Sequence, residues 1–394
     1  MSLVRARVWR FTVEKGKAGA EAVQAVEIGQ GPLPVSLAAV ININALACDL
    51  RKTVDQRVRD HEISLLLSYI AGIPDTGPLG VDCPALDSSS GHIRRFVSEC
   101  TGLGVMTATS EALFDWEPGA NGLSSFDVLP GKLVGTYTKT GVRPDLLYDL
   151  AAGPLAGEAR GRRRDHEQMF PAGKGTQPQK TRLAKLAQWS IDHDDHAYFM
   201  SWVWLGKGGV YVDIFLPDDS PAAVGLRTGW IDTPGSTPPW RFRVPRPDAR
   251  RQADLDPEEP VVAQAAPAPE SGGQGSAVSP GAHIRAAINR AEPLVEAAMN
   301  RSFNHEEDTL GTLSDVPVRG RWIRGDAVGQ ARHEVLLGVL EERVPVDHRA
   351  QRHLLASQEA DRLDVFLEGR LLTVVQPVDS PRPSWDRIQS ELLG

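Results

Sequence analysis

TKTGVRPDLLYDLAAGPLAGEARGRRR, residues 138–164, decides how this chain is read. Two short apolar runs, RPDLLYDL (143–150) and PLAGEAR (154–160), lie either side of a small-residue turn and read as antiparallel strands. Each carries a carboxylate, Asp145 in one and Glu158 in the other. With the turn centred on Ala151 and Ala152, residues whose numbers sum to 303 face one another, and Asp145 stands across from Glu158. Directly opposed residues share a face with Cβ atoms about 4.5–5.5 Å apart. Arg160 shares that face through the period of two. Ala-Ala-Gly-Pro is not a favoured two-residue hairpin turn, so a longer loop that shifts the pairing stays open.

Two carboxylates placed opposite one another repel, which makes the pair a poor structural choice. A divalent cation between them removes the repulsion; hard cations such as Mg²⁺ prefer oxygen ligands and keep several waters. Such a metal activates water and stabilises charge on a phosphoryl group.

The same residues carry a resemblance. RPDLLYDLAAGPLAGEARGR, preceded by a helix and a strand and followed by a helix and strands, resembles the PD-(D/E)XK nuclease superfamily. Its members have a helix, a three-stranded meander bearing Pro-Asp and then Glu-X-Lys, a second helix and a further strand. The match spans roughly residues 90–217. The resemblance implies a restriction-endonuclease-like core, Mg²⁺ or Mn²⁺ held by Asp145 and Glu158, and Arg160 at the position of the family lysine. That departure matters, because the high pKa of arginine opposes proton transfer. Arg160 can still bind phosphate or stabilise developing charge. Three readings stay open: Arg160 supports catalysis, a lysine such as Lys139 or Lys180 substitutes, or the site has kept binding and lost cleavage. An ordinary hairpin with a solvated Glu158 is the plain structural reading.

A basic run follows the carboxylates. Between residues 160 and 185 lie Arg160, Arg162, Arg163, Arg164, Lys174, Lys180, Arg182 and Lys185 against Asp165 and Glu167, a local +6 in a chain of net charge −8. The acidic whole excludes a general polyanion binder, whereas a local basic patch steers a phosphate backbone in a salt-dependent way. Beside the metal, Gln177, Gln179 or Gln188 could supply the polar residue that some members of this superfamily use. The tryptophans Trp189, Trp202 and Trp204 read as core. In DHDDH (192–196), His193 and His196 read as solvated residues at a helix end.

The rest of the 394 residues is divided by composition. Residues 1–85 form an N-terminal α/β extension, with strands at LVRARVWRFTVE and PVSLAAVININAL and a helix at VDQRVRDHEISLLLSYIAGIP. Residues 86–243 form the PD-(D/E)XK-like core: a helix GHIRRFVSECTGLG ended by glycine, strands KLVGTYTK, RPDLLYDL and PLAGEAR, a helix QKTRLAKLAQWSIDH with Leu183, Leu186, Ala187 and Ile191 inward, and a hairpin about Gly-Lys-Gly-Gly. Residues 244–280 are rich in Pro, Ala, Gly and Ser and read as a flexible linker. Residues 281–394 form a small C-terminal α+β unit, with helices at HIRAAINRAEPLVEAAMN and HEVLLGVLEERV and a hairpin turning at Glu368-Gly369. This unit is the candidate surface for a protein partner. The expected class is α/β, a mixed central sheet flanked by helices.

Cys48, Cys83 and Cys100 lack metal-type spacing, and their odd number fits a reducing compartment. No apolar run is long enough to span a membrane, so the expectation is a cytoplasmic protein. The leading functional reading is a metal-dependent nuclease acting on nucleic acid, DNA before RNA, with restriction or anti-phage defence as the analogy. The alternative is an inactive nuclease fold that serves as a nucleic-acid-binding or scaffold subunit. Oligomeric state is not legible.

Overall fold

A computed structural model describes residues 2–15, 21–49, 56–71, 79–114, 116, 122–125, 142–150, 153–164, 177–193, 195–218, scattered positions between 286 and 300, 309–325, 333–346 and 363–393. The expected strand KLVGTYTK and the linker 244–280 lie outside these residues.

The chain opens with two long strands, β1 (Ser2–Lys15) and β2 (Glu21–Val35), paired antiparallel with a bulge at Val8/Trp9. β2 contains Pro32 and Pro34, which a strand tolerates at a sheet edge, and β2 is such an edge. Two helices follow, α1 (Leu37–Asp49) and α2 (Gln56–Tyr69), then two short bridging strands, β3 (Ile70–Ala71) and β4 (Gly80–Val81). PVSLAAVININAL is therefore mostly helix, where the sequence pattern suggested a strand. A six-residue helix α3 (Cys83–Ser88), capped by Asp82, leads into α4 (Gly91–Leu113), capped by Ser90. α4 runs past the glycines expected to end it.

The meander comes next: β5 (Leu123–Ser125), β6 (Leu146–Leu150) and β7 (Gly153–Arg163). Then come α5 (Gln177–Asp192) and the hairpin β8 (Tyr198–Gly206) and β9 (Gly209–Pro217). The strands form one seven-stranded mixed sheet, β2-β1-β9-β8-β7-β6-β5, parallel at β1/β9 and at β7/β8 and antiparallel elsewhere. The N-terminal strands thus belong to the same sheet as the meander.

α5 covers one face of the sheet over an aromatic core of Trp9, Phe11, Trp189, Trp202, Trp204 and Phe215. Its inward residues are Gln179, Leu183, Ala184, Leu186 and Trp189, whereas Ile191 is 61% exposed and so is not on the inner face as the pattern suggested. α1 and α4 lie on the other face. α4 presses directly on β7, and Gly161 makes this possible: a Cβ there would fall 1.6 Å from the Ser98 carbonyl oxygen. Gly104 allows the same close approach to Val40 of α1.

The C-terminal part is a five-stranded antiparallel sheet, β10 (Thr309–Leu313), β11 (Val316–Arg324), β12 (His333–Leu340), β13 (Asp364–Glu368) and β14 (Leu371–Pro377), in the order β10-β11-β12-β14-β13. A final helix, α6 (Trp385–Leu393), closes the chain. HEVLLGVLEERV is a strand, not a helix. It is buried on both faces as the middle strand of this sheet, which removes the alternation that would mark it.

One face of this second sheet packs on α1 and α2 through Ile323, Leu337, Phe366 and Leu371, and α6 covers the other through Ile388 and Leu392. Asn42 of α1 donates to Leu371 O and Thr373 Oγ1, and Arg321 pairs with Asp60 of α2. Asp364 caps α1: it accepts from Ser36 Oγ at 2.7 Å and from the N–H groups of Leu37 and Ala38 at 2.7 and 3.1 Å. The protein is α/β, a mixed sheet flanked by helices beside an antiparallel sheet. Among the described residues no helix is long and apolar enough to cross a membrane.

Candidate functional site

β6 and β7 pair with Leu146 opposite Gly157 and Leu150 opposite Gly153, the register in which numbers sum to 303. The Asp145 N–H donates to Gly157 O at 2.9 Å, continuing the ladder one step and bringing Asp145 across from Glu158. Asp145 sits where β6 begins, and its Oδ2 accepts the Ala159 N–H at 2.7 Å. Along β7, Leu155, Gly157, Ala159 and Gly161 turn to α4, while Ala156, Glu158 and Arg160 turn to the α5 face.

Glu158 is fully buried. Its Oε1 takes three guanidinium contacts: Arg160 Nη2 at 2.6 Å, Arg182 Nε at 2.7 Å and Arg182 Nη2 at 2.5 Å. Its Oε2 is buried and has no hydrogen-bond partner among the described residues. Burial, followed by the Asp145 charge, pushes the Glu158 carboxyl up to about 8 against the pull of both arginines. The proton belongs on Oε2, the oxygen that no guanidinium reaches. Asp145 is also raised, by burial, against Arg160, the Ala159 N–H, Arg182 and Arg143.

Gln179 lies one turn before Leu183 on the inner face of α5 and three residues before Arg182. It is wholly buried, and neither its amide nitrogen nor its oxygen has a partner among the described residues. Two buried side chains of this region, Glu158 and Gln179, therefore hold unused oxygen donors. Of the three glutamines considered from sequence, this one has the burial expected beside a metal.

The structure divides the expected phosphate-binding residues. Arg182 is engaged by Glu158, and Arg163 by Asp87 at 2.7 Å and Leu205 O at 3.1 Å. Arg164 and Lys185 are exposed, Lys180 is half-buried, and Lys174 lies outside the described residues. Arg162 stacks 5.8 Å over Trp202 and reaches Glu99 at 3.9 Å. Burial, Arg160, Arg95 and Arg164 lower its pKa. Arg95, exposed at the start of α4, thus joins the basic patch from a distant part of the chain. Its placement beside β7 depends on the Gly161 crossing, which no local pattern discloses.

The remaining cluster is structural. His196 is buried, with Nδ1 on Ala197 O at 2.8 Å and its ring against Trp189, so the helix end in DHDDH is packed and not solvated there. Burial lowers its pKa to about 4. Among the described residues no group of three or more His, Cys, Asp or Glu side chains is arranged to hold a metal ion.

Compared with protein-family models, with curated proteins and with solved structures, the chain matches none.

Proposed function

We propose that this chain is a metal-dependent phosphodiesterase acting on nucleic acid, built on a PD-(D/E)XK-like core. One observation carries the reading: Asp145 and Glu158 are opposed on adjacent strands, and the buried Glu158 Oε2 has no partner. The order α4, β5-β6-β7, α5, β8, with β8 parallel to β7, supports it.

The donor set suits a hard divalent cation. Asp145 and Glu158 would hold Mg²⁺ or Mn²⁺, with the Gln179 amide oxygen as the neutral donor nearest in sequence to Arg182. When bound, the ion supplies polarisation of the phosphoryl group and a more acidic water. A guanidinium is a poor proton carrier, so the role left to Arg160 is to steady a phosphate oxygen. Arg182 holds Glu158 Oε1, which fixes the carboxylate and would leave Oε2 as the oxygen available to an ion. Arg95, Arg162 and Arg164 guide the phosphate backbone.

A second reading rests on a specific contact. Two guanidiniums on Glu158 Oε1 already compensate its charge, as a site kept for binding without cleavage would require. Cleavage of plasmid, linear DNA and RNA with Mg²⁺ or Mn²⁺, beside Glu158→Ala, separates the two. Metal-dependent cleavage lost in Glu158→Ala supports the enzyme. Salt-sensitive binding without cleavage supports the scaffold, and no binding at any salt concentration overturns both.

A further inference from the structure

On the α4 side of β7 lies a cavity of about 210 Å³, walled by α1, α2 and α4, with Ala159, Asp145 and Arg160 as its floor. Arg160 borders it at the edge of β7 beyond the start of β6, although its side chain is rooted on the α5 face. Its walls are of two kinds. Ile63, Leu66, Phe96 and Leu103 are apolar, and Phe96 offers a ring face. Glu62, Glu99 and Asn44 are polar. Both amide hydrogens of Asn44 are spent, on Val40 O at 2.7 Å and Cys100 O at 3.0 Å, so Asn44 can offer the cavity only its oxygen. Apart from Arg160 and the weakly donating thiol of Cys100, every polar side chain lining the cavity is therefore an acceptor. Glu62 and Glu99 in the wall keep a phosphate out of the cavity. A flat, apolar group that carries hydrogen-bond donors suits it.

We propose that this cavity receives an unpaired nucleobase bearing an exocyclic amino group, cytosine before thymine, from a strand whose phosphate lies at Arg160. The inference rests on the nucleic-acid reading above and names the substrate class: single-stranded or locally unpaired. Asp145 and Arg160 belong both to the cavity floor and to the candidate site, so one nucleotide can present its phosphate to the site and its base to the cavity. Glutamate accepts from the cytosine amino group, whereas thymine offers a carbonyl oxygen at that position and is rejected. Stacking on Phe96 adds attraction that any base shares.

The test measures binding of the full chain to labelled dC and dT oligonucleotides and to a blunt duplex, in EDTA, with Phe96→Ala and the cavity-filling Leu103→Trp alongside. The expected result is a preference for the dC strand of about tenfold or more, the size of one good base contact. Leu103→Trp should shrink that preference, and Phe96→Ala should weaken the dC and dT strands alike, both leaving duplex binding unchanged. Equal affinity for dC and dT, or a preference that survives Leu103→Trp, overturns the cavity assignment while duplex binding preserves the nucleic-acid reading. Loss of all binding in the unmodified protein removes that reading and this inference together. Mn²⁺ binding that survives Glu158→Gln and vanishes in Glu99→Gln reassigns the cavity to a cation and also overturns the proposal.

Discussion

The proton on Glu158 gives the sharpest test of the proposed metal site. With the carboxyl pushed up to about 8, the metal-free protein at pH 6 has only about 1% of Glu158 ionised, and at pH 8 about half. A cation bound at Oε2 must displace that proton, so its apparent affinity should rise about 50-fold between pH 6 and pH 8 and level off above. Asp145, raised by burial as well, steepens the acid side. Titration calorimetry with Mn²⁺ in two buffers of different ionisation enthalpy reads affinity and proton release together. Close to one proton should leave per ion at pH 6.5, and Glu158→Gln should abolish both the release and most of the binding. An affinity constant within about twofold across this range, with no proton released, would refute the argument. It would mean that Arg160 and Arg182 already keep Glu158 ionised, or that the ion binds elsewhere.

Three further predictions follow from the same geometry. Because the folded-state pKa of Glu158 is raised, the native protein keeps a proton that the unfolded chain has lost. Its stabilising contribution is therefore full below about pH 4.5 and lost as pH rises through about 8. Urea unfolding of the metal-free protein should show a fall approaching about 1.4 kcal/mol per pH unit inside that window, flattened in Glu158→Gln. Gly161→Ala forces α4 away from β7 and should cost about 3 kcal/mol, the upper end of overpacking, read as a lower urea midpoint; an unchanged midpoint would contradict the close crossing. Asp213 is fully buried and receives Arg7 Nε and Nη2 at 2.7 and 2.9 Å together with the indole N–H groups of Trp9 and Trp204. Arg7→Met should cost about 3–5 kcal/mol by stranding that charge, and a loss below about 1 kcal/mol would show that the indoles suffice.

The site was more legible than the frame around it. The pairing of Asp145 with Glu158 could be counted from the turn because strands have a fixed period and the connection is short. The elements misread from sequence are those whose surroundings suppress periodicity. α1 lies between two layers, with Ala38, Val40, Ile41 and Ile43 all buried, so LAAVININAL has no polar face to mark a helix. Gly102 and Gly104 read as a stop, yet their role is contact: Gly102 approaches the Arg160–Gly161 backbone and Gly104 approaches Val40. The glycines and prolines of β2 hid an edge strand. Arg95, Glu62 and Glu99 reach the site region through packing across the chain, which one-dimensional spacing does not encode.

The cap on α1 has a consequence for how this protein is made. The cap carboxylate, Asp364, is separated from Ser36 by 328 residues. At roughly 5–20 residues per second of synthesis, α1 leaves the ribosome roughly 16–65 seconds before the group that closes its first turn. Through that interval the faces of α1 and α2 destined for β11, β13 and β14 have no cover from their own chain. The helix layer that backs β7 is thus completed only after Asp364 has been made, and a chain ended before that residue would present an apolar surface to chaperones and proteases.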